Sequence, residues 1–205
     1  MKSYNQIIND LLENASERKN FDSVLELSQI VADRNLYLGD IEEGTGDVID
    51  TSIRFWNRVD DEENIPVEER KPIKLYINSG GGSLLATFTM IDSIKMSKTP
   101  VWTIAVSSAY SGGFFTFICG HRRFAYPNAS FLYHEGSAGT SGTASQFANF
   151  AAFYKKQLEK LKQIVLTNTT IGEEKFNEIQ KEDFWMTAEE AVDFGCADEI
   201  ITELI

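Results

Sequence analysis

From residue 73 onward the chain repeats one pattern: a short run of β-forming apolar residues, a turn of small residues, then a helix-spaced apolar stretch. Ile73, Leu75 and Ile77 predict a strand over 73–77, Gly80-Gly81-Gly82 turns the chain, and the spacing predicts a helix over 84–94. Pro100 then precedes a second strand over 101–106, a small-residue turn through Gly113, and an apolar helix over 114–119. A third strand region runs through 124–126 and 131–133. Successive strands separated by helices lie parallel and connect by right-handed crossovers, so the chain predicts an α/β fold and excludes a helical bundle or a β-sandwich.

The flanks read differently. Ile7, Ile8, Leu11 and Leu12, then Val24, Leu25, Leu27 and Ile30, predict two short helices forming an N-terminal arm over 1–33, with a domain following over 34–205. A strand is expected at 36–39 and an amphipathic helix at 48–59, followed by an acidic insertion near 60–70 that reads as a solvated loop. Downstream, Phe147, Phe150, Ala151, Tyr154, Leu158, Leu161 and Val165 step by three or four and predict the longest helix, over 145–167. Its early aromatics, Phe153 among them, are dense for a helix facing water and suggest a partner. Capping boxes at Thr170–Glu173 and Thr187–Glu190 open two later helices, and a strand over 199–205 ends the chain.

With 205 residues, 42% of them hydrophobic, the chain can bury one ordinary core. No apolar run approaches the roughly 18 residues of a membrane span, and the first residues lack the apolar stretch of a signal peptide. Cys119 and Cys196 stand far apart, which supports neither a disulfide framework nor a zinc finger and suits a reducing cytoplasm. A net charge of −12 argues against nucleic acid as partner. That charge is unevenly spread: −10 over residues 1–70, +7 over 71–172 and −9 over 173–205.

Ligands of α/β sheets gather at the carboxyl ends of strands. There the sequence puts Asn78-Ser79-Gly80-Gly81-Gly82, then Ser107 to Gly113, then His134-Glu135-Gly136. The glycine run lacks the pattern of a phosphate loop; it is either a tight turn or a place where backbone N–H groups approach a reacting oxyanion. His134 is either a buried structural histidine or a general base, whereas His121, beside Arg122 and Arg123, reads as a surface residue. Cys119, His121 and His134 do not make a convincing metal set, and no cofactor motif is present. Ser111, followed by two glycines at a strand-to-helix turn, is the best nucleophile for His134 to activate. Asp183, beside Phe184-Trp185-Met186, is either a surface carboxylate or the group that orients the imidazole.

Taken in order, Leu75 to Gly82, Ser111 with Gly113 and Gly120, Tyr126-Pro127-Asn128, His134, Gly139, Gly142-Thr143-Ala144, and Ala188 to Ala191 with Gly195 resemble the proteolytic subunit family of the Clp protease, ClpP. The likeness spans roughly 71–205, with a fainter echo at 34–41. It implies a crotonase-like (ClpP) fold with a long handle-type helix at 145–167, and a serine endopeptidase cleaving unfolded polypeptides. It further implies Ser111 as nucleophile, His134 as general base and acid, Asp183 as orienter, and Gly81 and Gly112 as oxyanion amides. In that family subunits form heptameric rings, singly or stacked in pairs, fed by an AAA+ ATPase unfoldase. This chain departs from the family in having Gly80 for proline, Gly112 for methionine, Glu135-Gly136 for Gln-Pro, and Glu182 for a basic residue that helps couple rings. Its N-terminal arm and acidic insertion do not follow the family either. Two other readings remain beside the peptidase: a catalytically silent ring component or scaffold, and a crotonase-type acyl-CoA enzyme using the same glycines for a thioester oxyanion.

Overall fold

The computed structural model describes residues 33–205. The helical arm expected over 1–33 lies outside the described residues apart from Asp33. In chain order the strands are β1 (Asn35–Leu38), β2 (Ile73–Ser79), β3 (Val101–Tyr110), β4 (Arg122–Ala125), β5 (Ser130–Tyr133), β6 (Phe184–Thr187) and β7 (Glu199–Ile200). The helices are α1 (Thr45–Glu62), α2 (Leu84–Met96), α3 (Gly112–Phe117), α4 (Ala144–Asn168), α5 (Glu173–Ile179) and α6 (Ala188–Asp193), with one 3-10 turn at Val67–Glu69.

Strands β1-β2-β3-β4-β7 are neighbours in that order and all parallel, as the strand-helix alternation requires. Alternation along β2 buries Ile73, Leu75, Ile77 and Ser79 on one face. That face joins the main core with Ile49, Ile53 and Trp56 of α1, Met90, Ile91 and Ile94 of α2, and Phe114 and Phe117 of α3. The other face carries a smaller cluster of Ile104, Phe124 and Ile201 edged by Tyr76, Trp102 and Tyr126. No helix among the described residues is long and apolar enough to cross a membrane.

The expected turn after residue 106 is instead more strand. β3 continues to Tyr110 and changes partner on the way: Trp102 to Ala105 pair with β4, whereas Ser108 to Tyr110 pair with β5. Its register against β2 jumps between Ile77↔Ala105 and Ser79↔Ala109, so extra residues of β3 bulge there. Small serines suit that bend, and Ser108 Oγ donates to Asn78 Oδ1 at 2.9 Å. The single third strand region expected from the sequence thus becomes two strands on successive stretches of β3. β6, read only as an apolar neighbour of Asp183, adds to β5 as the sheet's one antiparallel pairing among the described residues. The closing strand expected over 199–205 is reduced to β7.

The segment near 60–70 is exposed from Asp61 to Glu69 apart from half-buried Ile65, as expected of a solvated stretch, but it is anchored by a buried residue at each end. Asp60, Asp61 and Glu62 extend α1, and Asp60 is fully buried. A carboxylate tolerates that position because Arg34 donates to both its oxygens at 2.9 and 2.6 Å and Thr99 Oγ1 adds a third bond at 2.6 Å. Arg70, also buried, reaches Asp61 at 2.5 Å and the Ile65 carbonyl at 3.1 Å. Capping differs as well. Thr187 and Glu190 close their box on α6, but α5 begins at Gly172 with no side-chain cap, and the Thr170 N–H donates instead to Phe194 O. An unforeseen box, Thr143 with Gln146, starts α4.

Candidate active site

β3, β5 and β6 lie side by side, and their registers decide what meets at their ends. Tyr110 of β3 pairs with Leu132 of β5, so Ser111 comes level with Tyr133, and its N–H donates to Leu132 O at 2.9 Å. Tyr133 pairs with Phe184 of β6; one further step of that antiparallel register sets His134 opposite Asp183. Ser111, His134 and Asp183 therefore occupy adjoining ends of three neighbouring strands, though 72 residues separate the first from the last. Ser111 and His134 are half-buried and Asp183 is exposed. No hydrogen bond links the three side chains among the described residues; such bonds are often long in unliganded sites and tighten around substrate.

Ser111 caps α3 with φ 53° and ψ −120°, in a region L-residues with a Cβ avoid. The serine is thus held at a sharp strand-to-helix turn, with the unpaired N–H groups of the first helical turn behind it. His134 is fixed by its predecessor. Tyr133 is 4% exposed and packs edge-on against Phe115, Phe114 and Phe176, with ring centroids 5.9, 6.4 and 5.4 Å away. These contacts tie the end of β5 to the helix Ser111 opens. Burial first, then Glu135 nearby, push the Tyr133 phenol up to about 12, so it stays neutral and apolar at ordinary pH.

The glycine run is clamped by the loop after β1. Asp40 Oδ1 accepts from Gly80 N–H at 3.2 Å, Ile41 N–H donates to Gly81 O at 2.8 Å, and Ser83 N–H donates to Ile41 O at 2.7 Å. Gly81 sits at φ +97°, and a Cβ there would come 2.6 Å from Ser111 Cβ, so only glycine lets this backbone lie against Ser111. Its own N–H, however, donates to Ser79 Oγ at 3.1 Å. The ladder bonds pass around Gly82 and leave its N–H turned away from Ile41. Gly82 at φ +144° would drive a Cβ to 2.1 Å from Ile41 O, and its nitrogen lies near the space beside Gly112. At Gly112 the constraint is room: a Cβ would meet Thr87 Oγ1 at 2.5 Å.

Ser111, Gly112, Gly82 and His134 line one cavity of about 550 Å³, closed on the far side by Phe150, Tyr154 and Gln157 of α4. Asp183 does not line it. Two contributors were not anticipated. Gly82 had no signal separating it from its neighbours in the run. Gln157 had one: a polar residue between Tyr154 and Leu161 on an otherwise apolar stripe of α4. A strand-end serine at a strained turn, a histidine level with it, a carboxylate across the next ladder and backbone amides beside a cavity can together perform acyl transfer. A protein-family model described as Clp protease matches residues 65–204.

Proposed function

Because the chain belongs to the Clp protease family, we propose that it is a serine-type endopeptidase acting through Ser111, His134 and Asp183. The observation that carries this reading is the pair of registers that brings the three residues to adjoining strand ends, where Ser111 and His134 line one cavity. Ser111 Oγ attacks the carbonyl carbon of a bound peptide while His134 takes its proton, and Asp183 holds the imidazole in the required tautomer. The resulting oxyanion takes N–H donors from Gly112, at the start of α3, and from the glycine run. Gly81 was the first expectation in that run; with its N–H given to Ser79, Gly82 is the better placed donor. His134 then protonates the leaving amine, and water attacks the acyl-serine with His134 again as base.

Ring assembly follows from family membership, and we extend it to this chain as a heptameric ring, single or stacked, receiving unfolded polypeptide from an ATP-driven unfoldase. Phe147, 58% exposed, and Phe153, 53% exposed, support a subunit contact along the first half of α4, because apolar surface of that size is unfavourable in water. The deciding experiment is labelling with a fluorophosphonate probe, with peptide hydrolysis and native mass recorded on the same sample. Labelling and hydrolysis that both disappear in Ser111→Ala are expected. An unlabelled Ser111 in every assembly state overturns the peptidase and leaves the silent scaffold.

A further inference from the structure

α4 turns one stripe toward the nucleophile: Phe150, Tyr154, Gln157 and Leu161 step by three or four and all line the cavity that holds Ser111 and His134. Three of these are apolar or aromatic. Gln157 is not, yet only 7% of it is exposed, and its Oε1 is shut off from solvent with no hydrogen-bond partner. Buried polar side-chain atoms nearly always find a partner, and leucine would fill the position at lower cost. A rotation of the terminal amide about one bond presents either its acceptor or its donor to the cavity.

We propose that Gln157 determines specificity for the residue whose carbonyl Ser111 attacks, selecting a side chain with an apolar stem and a neutral hydrogen-bonding end, glutamine foremost. This inference rests on the peptidase reading above. Phe115, Phe150 and Leu161 provide walls for the stem, and the Gln157 amide offers a complementary pair of hydrogen bonds to the end of a substrate carboxamide. The cavity-lining neighbours of Gln157 on α4, Phe150, Tyr154 and Leu161, are uncharged, which suits a neutral group and not an ion. Glu135, exposed at the rim of the same cavity, is the one lining group that would favour a cationic side chain instead.

The test uses three fluorogenic peptides identical except for glutamine, methionine or lysine before the scissile bond, on wild type, Gln157→Leu and Gln157→Met. Wild type is expected to favour glutamine over the near-isosteric methionine by about tenfold in kcat/KM, since a site built to hydrogen-bond rejects an analogue that lacks the group. Both variants should lose that preference, keep or raise turnover of the methionine peptide, and melt no lower than wild type. A glutamine-to-methionine ratio unchanged by the substitutions overturns the inference, as does a lysine preference in wild type. Either outcome with Ser111 still labelled leaves the peptidase standing; loss of labelling in wild type overturns both.

Discussion

At Ser111 the backbone stores strain, as a non-glycine residue at positive φ. A φ of 53° with a Cβ costs on the order of 1–3 kcal/mol, and the turn is over-determined by Leu132 O accepting its N–H and by Gly81 packed against its Cβ. Removing the Cβ relieves that cost; removing only the hydroxyl does not. Ser111→Gly should therefore gain about 1 kcal/mol of stability in urea unfolding while Ser111→Ala stays near neutral, and both should be inactive. Equal stability of the two variants would show that the turn is unstrained. Of this site, the places of Ser111 and His134 at strand ends were legible, while the roles of His134 and Asp183 were each one of two open readings. Its pairing opposite His134 was hidden because β6 is four residues long and antiparallel, a pattern that the strand-helix alternation does not announce. Nor does sequence tell which of three consecutive glycines leaves an N–H unused: that depends on Ile41 bridging Gly82, 41 residues later in the chain.

Among the elements, β1 and α1 are held to the sheet by a buried ion pair where a small apolar contact would have been simpler. Arg34 sits at φ 56°, stacks over Trp56 at 4.7 Å, donates to Lys71 O at 2.8 Å and grips Asp60 with both terminal nitrogens. Asp60→Asn leaves that guanidinium buried without its counter-charge, so it should cost about 3–5 kcal/mol in urea unfolding. Burial alone would raise the Asp60 carboxyl, but hydrogen bonds from Arg34 and Thr99 and the charges of Arg34 and Arg70 hold it below the usual carboxylate range. A carboxyl depressed on folding contributes stability that is fully present above its unfolded value, about 4, and is lost as pH falls through the folded one. Wild type should thus lose stability more steeply than Asp60→Asn below about pH 4, and parallel slopes would sink the assignment. Periodicity found the helix and even the strand at Asn35–Leu38, yet it read Asp60 as solvated because nothing local in a run of carboxylates reveals a distant arginine. The capping box of Thr143 and Gln146, by contrast, is a local Thr-x-x-Gln pattern, and it starts α4 one residue before the start expected from periodicity.

For the whole molecule, the uneven charge seen along the sequence has a structural use. The acidic C-terminal segment is bound to the basic middle one through Arg122 with Glu199, Arg123 with Asp198 and Lys162 with Glu173, and the acidic first third through Lys98 with Asp61 and Lys71 with Asp33. Pairing along these seams offsets part of the local repulsion, but each subunit still carries −12. If copies assemble into rings through the exposed aromatics of α4, like charges are brought within tens of ångströms of one another while the contacts themselves are apolar. Salt shortens the reach of the repulsion, from about 10 Å at 0.1 M to about 3 Å at 1 M, and does not weaken apolar burial. Raising NaCl across that range should therefore shift the protein toward larger species in sedimentation velocity at fixed concentration. Phe147→Ser with Phe153→Ser should abolish that shift without lowering the melting temperature of the isolated subunit, since both rings face solvent in it. Assembly that dissolves as salt is added would instead place ion pairs between charged segments at the subunit contact, and a chain monomeric at every salt concentration would remove the ring from the account.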